Sequence, residues 1–120
     1  MASESVVKAW LETPLSFLVT DVLASIPNLF LYRVVRIDGT VSIQPTSPYS
    51  RVITALLAIG YGIASYLLAD YSVRADSEDA KYLSLGASSA LLLDAIADVI
   101  ATALMGQSIP TTHPAAKLVK

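Results

Sequence analysis

The chain has 120 residues, of which 54% are hydrophobic and only 15% charged, and its mean hydropathy is +0.60. A soluble domain carries about 25% charged residues, so this composition favours a protein that lies in a membrane or assembles from one. The absence of cysteine excludes disulfides and thiolate metal sites, and the net charge of −2 argues against a nucleic-acid-binding surface. The length predicts one domain, residues 1–120.

The first apolar region covers residues 13–32. Thr13 followed by Pro14 is typical of an N-cap and a first helical position, and apolar residues then recur at helical spacing. Pro27 and Asn28 interrupt this pattern. Two alternatives remain open for the region: an amphipathic helix in the membrane interface, or a kinked helix that crosses the bilayer.

A basic loop is predicted for residues 33–51, because it contains Arg33, Arg36 and Arg51. Within it, residues 33–44 alternate around Asp38-Gly39, a sequence that favours a two-residue turn, and this predicts a short β-hairpin. A plain loop is the alternative. By the positive-inside rule, the basic loop and the tail over residues 107–120 are expected in the cytoplasm if all three apolar regions span.

Two further helices are predicted downstream. The stretch between Arg51 and Asp70 has no charge and no proline, which predicts a membrane helix over residues 52–70. A polar turn over residues 71–81 leads to an apolar helix over residues 82–106. The predicted fold is therefore all-α: a small helical membrane protein with two to three apolar helices, the last two forming an antiparallel helical hairpin.

Small residues recur along one face of each of these two helices at spacings of 3 and 4, the seam of a left-handed helix pair. Close backbone approach drives helix association in lipid, so these stripes predict a helix-packing interface, within the hairpin or with a neighbouring subunit. The predicted interface residues are Ala55, Ala58, Gly62, Ser65 and Ala69, and Ala87, Ala90, Asp94, Ala97 and Ala101. Gly60 is expected to allow the same close packing as Gly62.

Asp94 and Asp98 make the last apolar helix costly to insert alone, since a central aspartate costs about 2.5–3.5 kcal/mol. They are predicted to be buried polar anchors that fix helix register, with Tyr61, Tyr66 or a serine as partner. The alternative is a proton or cation site, because buried carboxylates in membranes commonly mark ion pathways.

The sequence offers no catalytic set: its single histidine, His113, lies in a Pro/Thr-rich tail. The predicted function is non-enzymatic, a self-assembling or accessory structural subunit without a cofactor other than bound lipid. Its expected partners are membrane lipid and copies of itself or a larger complex, with no sequence-specific nucleic-acid binding. It is expected in a membrane, or in an extracellular filament assembled from a membrane pool.

Three alternatives remain open. The first is a pilin-like subunit of a conjugation or DNA-import filament, whose apolar helices are joined by a basic loop. The second is an ion- or proton-conducting component that uses Asp94 and Asp98. The third is a soluble helical protein that hides its small-residue stripes in an oligomer core.

Overall fold

The computed structural model describes residues 3–117, except for the side chains at positions 115 and 117. The chain is mostly helical, with a small antiparallel sheet. The elements are α1 (Glu4–Ser25), α2 (Asn28–Leu31), β1 (Tyr32–Ile37), β2 (Thr40–Pro45), α3 (Ser50–Arg74), α4 (Glu78–Leu104), β3 (Ser108–Pro110) and a 3₁₀ turn (Pro114–Lys117).

The structure divides into two compact units. The first contains the residues up to Ala24 together with Tyr61–Asp94, and the second contains Ser25–Gly60 and the residues from Ala95 onward. The first unit consists of segments of α1, α3 and α4, whereas the second also holds the sheet.

Helix α1 begins nine residues earlier than the predicted start at Thr13, and Pro14 lies inside it. Ser3 is the cap: its Oγ accepts a hydrogen bond from the Val6 N–H at 3.2 Å. Contacts with α4 hold this extra segment, including the ion pair of Lys8 with Asp79 at 3.5 Å. The interruption predicted at Pro27 is present, since α1 ends at Ser25 and α2 begins at Asn28.

The predicted β-hairpin is present, as β1 and β2. Asp38 and Gly39 have φ of 50° and 77°, so both central turn residues are left-handed, as a type I′ turn requires. The tail was predicted without a strand, but Ser108–Pro110 pairs antiparallel with β2 and completes the order β1-β2-β3.

The core of the second unit forms where the sheet meets the end of α4. Ile43 on β2 and Met105 after α4 are each 1% exposed, and they pack with Leu31, Tyr32 and Ala101. Gly106 has φ of 85°, which ends α4, and its N–H donates to the Ile43 carbonyl at 2.7 Å. This bond directs the chain toward β3.

The connection between α3 and α4 is much shorter than the predicted polar turn over residues 71–81. Both helices continue into that polar sequence, leaving only residues 75–77 between them. Ser77 caps α4, since its Oγ accepts from the Ala80 N–H at 3.3 Å, and Glu78 and Asp79 favour the positive end of the helix dipole. These capping and charge effects favour a helix start at Glu78, so the polar sequence forms the first turn of α4 and not a loop.

Within residues 3–117, three helical segments are long and apolar enough to cross a membrane: Glu4–Leu31, Ser50–Arg74 and Glu78–Leu104. Their large apolar side chains are largely exposed, for example Leu18 at 60% and Leu56 at 61%. Serine, threonine and aspartate side chains are buried instead, among them Thr54 and Asp98 at 0%. On these three segments, most large apolar side chains therefore face outward, whereas several small polar side chains are buried.

Candidate functional site

Serines join α3 and α4 inside the first unit. Ser65 Oγ donates to the Ser88 carbonyl at 2.6 Å, and Ser88 Oγ donates to the Ser65 carbonyl at 2.7 Å. Further along, Ser72 Oγ donates to the Lys81 carbonyl at 2.9 Å. The partner numbers fall in α4 as they rise in α3, so these bonds show an antiparallel pair and fix its register.

At Gly86, α4 packs closely against the backbone of α1. A Cβ built on Gly86 would lie 2.2 Å from the Thr13 carbonyl oxygen and 3.0 Å from Ser16 Cβ. No side chain fits there without separating the helices. The Ser16 hydroxyl donates to the Leu83 carbonyl beside this contact, at 2.5 Å.

Among the residues that the structure describes, Gly60 and Gly62 have no neighbouring helix close against them. A Cβ at either position would meet no atom within 4 Å. The glycine that packs against a neighbouring helix is Gly86, which the spacing pattern did not select. Sequence spacing alone could not distinguish these glycines, because the contact depends on where α1 crosses α4.

None of the ten residues predicted for the packing interface is exposed. The buried members are Ala58, Ser65, Ala90, Asp94, Ala97 and Ala101; the half-buried ones are Ala55, Gly62, Ala69 and Ala87. Ser65 is bonded to Ser88, a residue outside the predicted stripe. A role for these faces in contacts between copies stays a prediction.

Asp98 lies in the second unit at 0% exposure, and its Oδ1 accepts a hydrogen bond from Asn28 Nδ2 at 3.0 Å. The bond joins α4 to α2 and fixes the orientation of the Asn28 amide, because a carboxylate accepts but does not donate. Asp94 lies in the first unit and is 2% exposed. Of the expected partners, Tyr61 donates to the Ala24 carbonyl at 2.8 Å and Tyr66 is 73% exposed.

Asn28 is the partner that sequence analysis missed. Its position after Pro27 suggested only a helix break, whereas the break turns its side chain toward α4. A polar residue placed after a proline within an apolar stretch, in a chain whose last apolar helix carries two aspartates, was the available signal. Without the tertiary arrangement, Asn28 could not be assigned to Asp98 over Asp94.

The basic residues predicted for one loop lie on two elements. Arg33 and Arg36 are exposed on β1, whereas Arg51 is in the first turn of α3 and its Nη2 donates to the Met105 carbonyl at 2.6 Å. Beside β1 lies a cleft of about 340 Å³, lined by Ser25, Asn28, Leu29, Tyr32, Arg33, Val34, Arg36 and Thr46. Arg33 and Arg36 therefore share a cleft, and Arg51 lines a different one.

Charge is divided unevenly between the two units. Among residues 3–117, the first unit has eight acidic and three basic residues, a net charge of −5, and the second has four basic and two acidic residues, a net charge of +2. A second groove, of about 510 Å³, is mostly apolar and lies between α3 and α4 in the second unit, lined by Ala55, Ala58, Ile59, Val99, Thr102 and Ala103.

Within residues 3–117, no three acidic or histidine side chains are close enough together to hold a metal ion. No protein-family model, curated protein or solved structure matches this chain. Its function must therefore be inferred from its own residues and fold.

Proposed function

We propose that this protein is a non-enzymatic structural subunit embedded in a membrane, which acts by assembling with further copies of itself. The observation that carries the proposal is the distribution of side chains on the three long helices. Leu18, Leu56 and Val99 are at least 58% exposed, while Ser65, Asp94 and Asp98 are at most 5% exposed. In water this arrangement would leave a large apolar surface unburied, whereas lipid covers it favourably.

The buried polar groups support a structural role inside such a membrane protein. Ser65 and Ser88 exchange hydrogen bonds, and Asp98 is held by Asn28, so each of these groups joins two helices. Interhelical hydrogen bonds of this kind help to hold membrane helices together. The Asn28 contact favours Asp98 as a packing anchor over Asp98 as a proton carrier, since it ties the carboxylate to a neutral amide.

The apolar groove between α3 and α4 supports self-assembly. Ala55, Ala58 and Ala103 line it with small side chains, which lets another helix approach closely. On α1, Leu18 and Val22 are 60% and 62% exposed and form a ridge of larger side chains. We propose that the α1 ridge of a second copy packs into this groove. A contact between two different faces is heterologous, and repeated contacts of this type build rings or filaments.

The experiment begins with alkaline carbonate extraction of membranes from expressing cells, where the protein should stay in the membrane fraction. The mass of the detergent-purified particle is then measured by native mass spectrometry, and its shape by negative-stain microscopy. Wild type should form oligomers, and Ala55→Leu, which fills the groove, should shift them to monomers.

The matched control is Ala64→Leu. It makes the same chemical change on α3, nine residues along and therefore about 180° around the helix from Ala55. It should leave the oligomers intact. Release by carbonate would contradict the membrane proposal, and a monomeric wild type, or equal behaviour of the two variants, would contradict assembly through the groove.

A further inference from the structure

We propose that the cleft beside β1 binds the phosphate headgroup of an anionic phospholipid. The inference deepens the proposed function and rests on it, because it places the cleft at the membrane surface. Arg33 lies two residues after Leu31, the last residue of the first helical segment long and apolar enough to span. The cleft therefore belongs to the part of the chain that leaves the bilayer, where phospholipid headgroups lie.

The lining of the cleft matches an amphipathic anion. Arg33 and Arg36 both line it, and none of its lining residues is acidic. A guanidinium group forms strong paired hydrogen bonds with phosphate oxygens. Leu29, another lining residue, is 76% exposed and offers an apolar surface to the glycerol and acyl region of a lipid.

The backbone of β1 adds a further donor. β1 is an edge strand, and the register Ile37↔Thr40 around a two-residue turn makes Val34↔Ile43 a pair that shares no backbone hydrogen bonds. The other residue of this pair shows the same arrangement: the Ile43 N–H is directed away from β1 and donates to the Gln107 carbonyl. The Val34 N–H is therefore directed away from β2, toward the open edge, and Val34 lines the cleft.

The net positive charge of the second unit also favours an anionic ligand. Among the described residues, the second unit has four basic and two acidic residues, and one of the acidic residues, Asp98, is buried and accepts a hydrogen bond from the lining residue Asn28. Basic pockets next to membrane helices on the cytoplasmic side are suited to anionic headgroups, because that leaflet is negatively charged. The positive-inside rule assigns this unit to that side.

The test uses the full-length protein in micelles that contain equal amounts of phosphatidylglycerol and phosphatidylcholine with identical acyl chains. Native mass spectrometry counts the lipids that stay bound. Wild type should retain phosphatidylglycerol about tenfold over phosphatidylcholine. The double variant Arg33→Gln/Arg36→Gln should lose this preference, and Arg33→Lys/Arg36→Lys should restore part of it, since lysine keeps the charge without the paired geometry.

The matched control, Arg74→Gln/Lys81→Gln, changes the net charge equally in the first unit and should keep the preference. An unchanged preference in the Arg33/Arg36 double variant, or an equal loss in the control, would overturn the inference. Displacement of the lipid by millimolar glycerol phosphate would also overturn it, because the ligand would then be a free phosphate. Carbonate extraction of the same protein separates the two proposals: a membrane-inserted protein without lipid preference contradicts only this one.

Discussion

At the scale of single residues, the contacts between helices depend on a few positions, each of which requires either glycine or one particular polar side chain. Gly86 packs against the Thr13 carbonyl, Ser65 exchanges hydrogen bonds with Ser88, and Asn28 bonds to Asp98. Such contacts are specific because a change of one atom alters either the distance between two helices or the hydrogen bonding of a buried polar group. They explain why helices with mostly apolar side chains can still pack in a single alignment.

Gly86→Ala should destabilise the protein by about 1–3 kcal/mol, since its Cβ would overlap the backbone of α1. The measurement is thermal unfolding in detergent, followed by circular dichroism. The matched control is Gly62→Ala, where the added methyl meets open space, and the change should stabilise α3 by about 0.5–1 kcal/mol. Equal effects of the two substitutions would show that Gly86 is not a packing contact.

Part of the set of helix-contact residues could be predicted from the sequence. The alternating spacing of Ala90, Asp94 and Ala97 placed three buried residues on one face of α4, because helical periodicity is a local property. Gly86, Asn28 and Ser88 could not be selected in the same way. Their importance comes from the elements opposite them, Thr13 on α1, Asp98 on α4 and Ser65 on α3, and pairings across long sequence distances leave no local pattern.

At the scale of elements, capping and turn residues determine where the helices and strands begin and end. Ser3 and Ser77 cap α1 and α4, and Asp38-Gly39 closes the hairpin. The hairpin was predictable from its turn because only a few residue pairs adopt two successive left-handed conformations. The early start of α1 was not, since Pro14 suggested a boundary and the contacts that hold the preceding turns lie on α4.

Gly39→Val should disrupt the hairpin, because a β-branched residue at a φ of 77° costs about 1–2 kcal/mol. The Gly39 carbonyl also accepts from the Thr111 N–H at 2.8 Å, so the end of β3 should loosen with the turn. Amide hydrogen exchange of residues 32–45 and 108–111 measures both effects. Asp38→Asn is the control and should keep slow exchange, since asparagine also tolerates the left-handed region. Unchanged exchange in Gly39→Val would contradict the role of this turn.

At the scale of the whole molecule, the division of charge predicts an orientation in the membrane. Among residues 3–117, the unit that contains the sheet has a net charge of +2, and the other unit has a net charge of −5. Composition alone predicted an association with membranes but not this division. It depends on which residues of the long helices belong to each unit.

Single cysteines give a direct test of topology, because the chain contains none of its own. With three spans, Asp38→Cys in the hairpin and Asp76→Cys in the α3–α4 turn should lie on opposite sides of the membrane. A membrane-impermeant maleimide applied to intact cells should label only Asp76→Cys, and lysis should expose Asp38→Cys as well. Labelling of both in intact cells, or of Asp38→Cys alone, would contradict the predicted orientation.

The third strand has a consequence for synthesis. β2 lies between β1 and β3, and β3 is formed by Ser108–Pro110, so one edge of β2 stays open until α3, α4 and then β3 have left the ribosome. An open strand edge is a template for pairing with other chains. Ribosomes that stall or terminate before Ser108 would therefore release products with an unprotected edge of β2. Synthesis through Pro110 covers an edge that would otherwise promote aggregation.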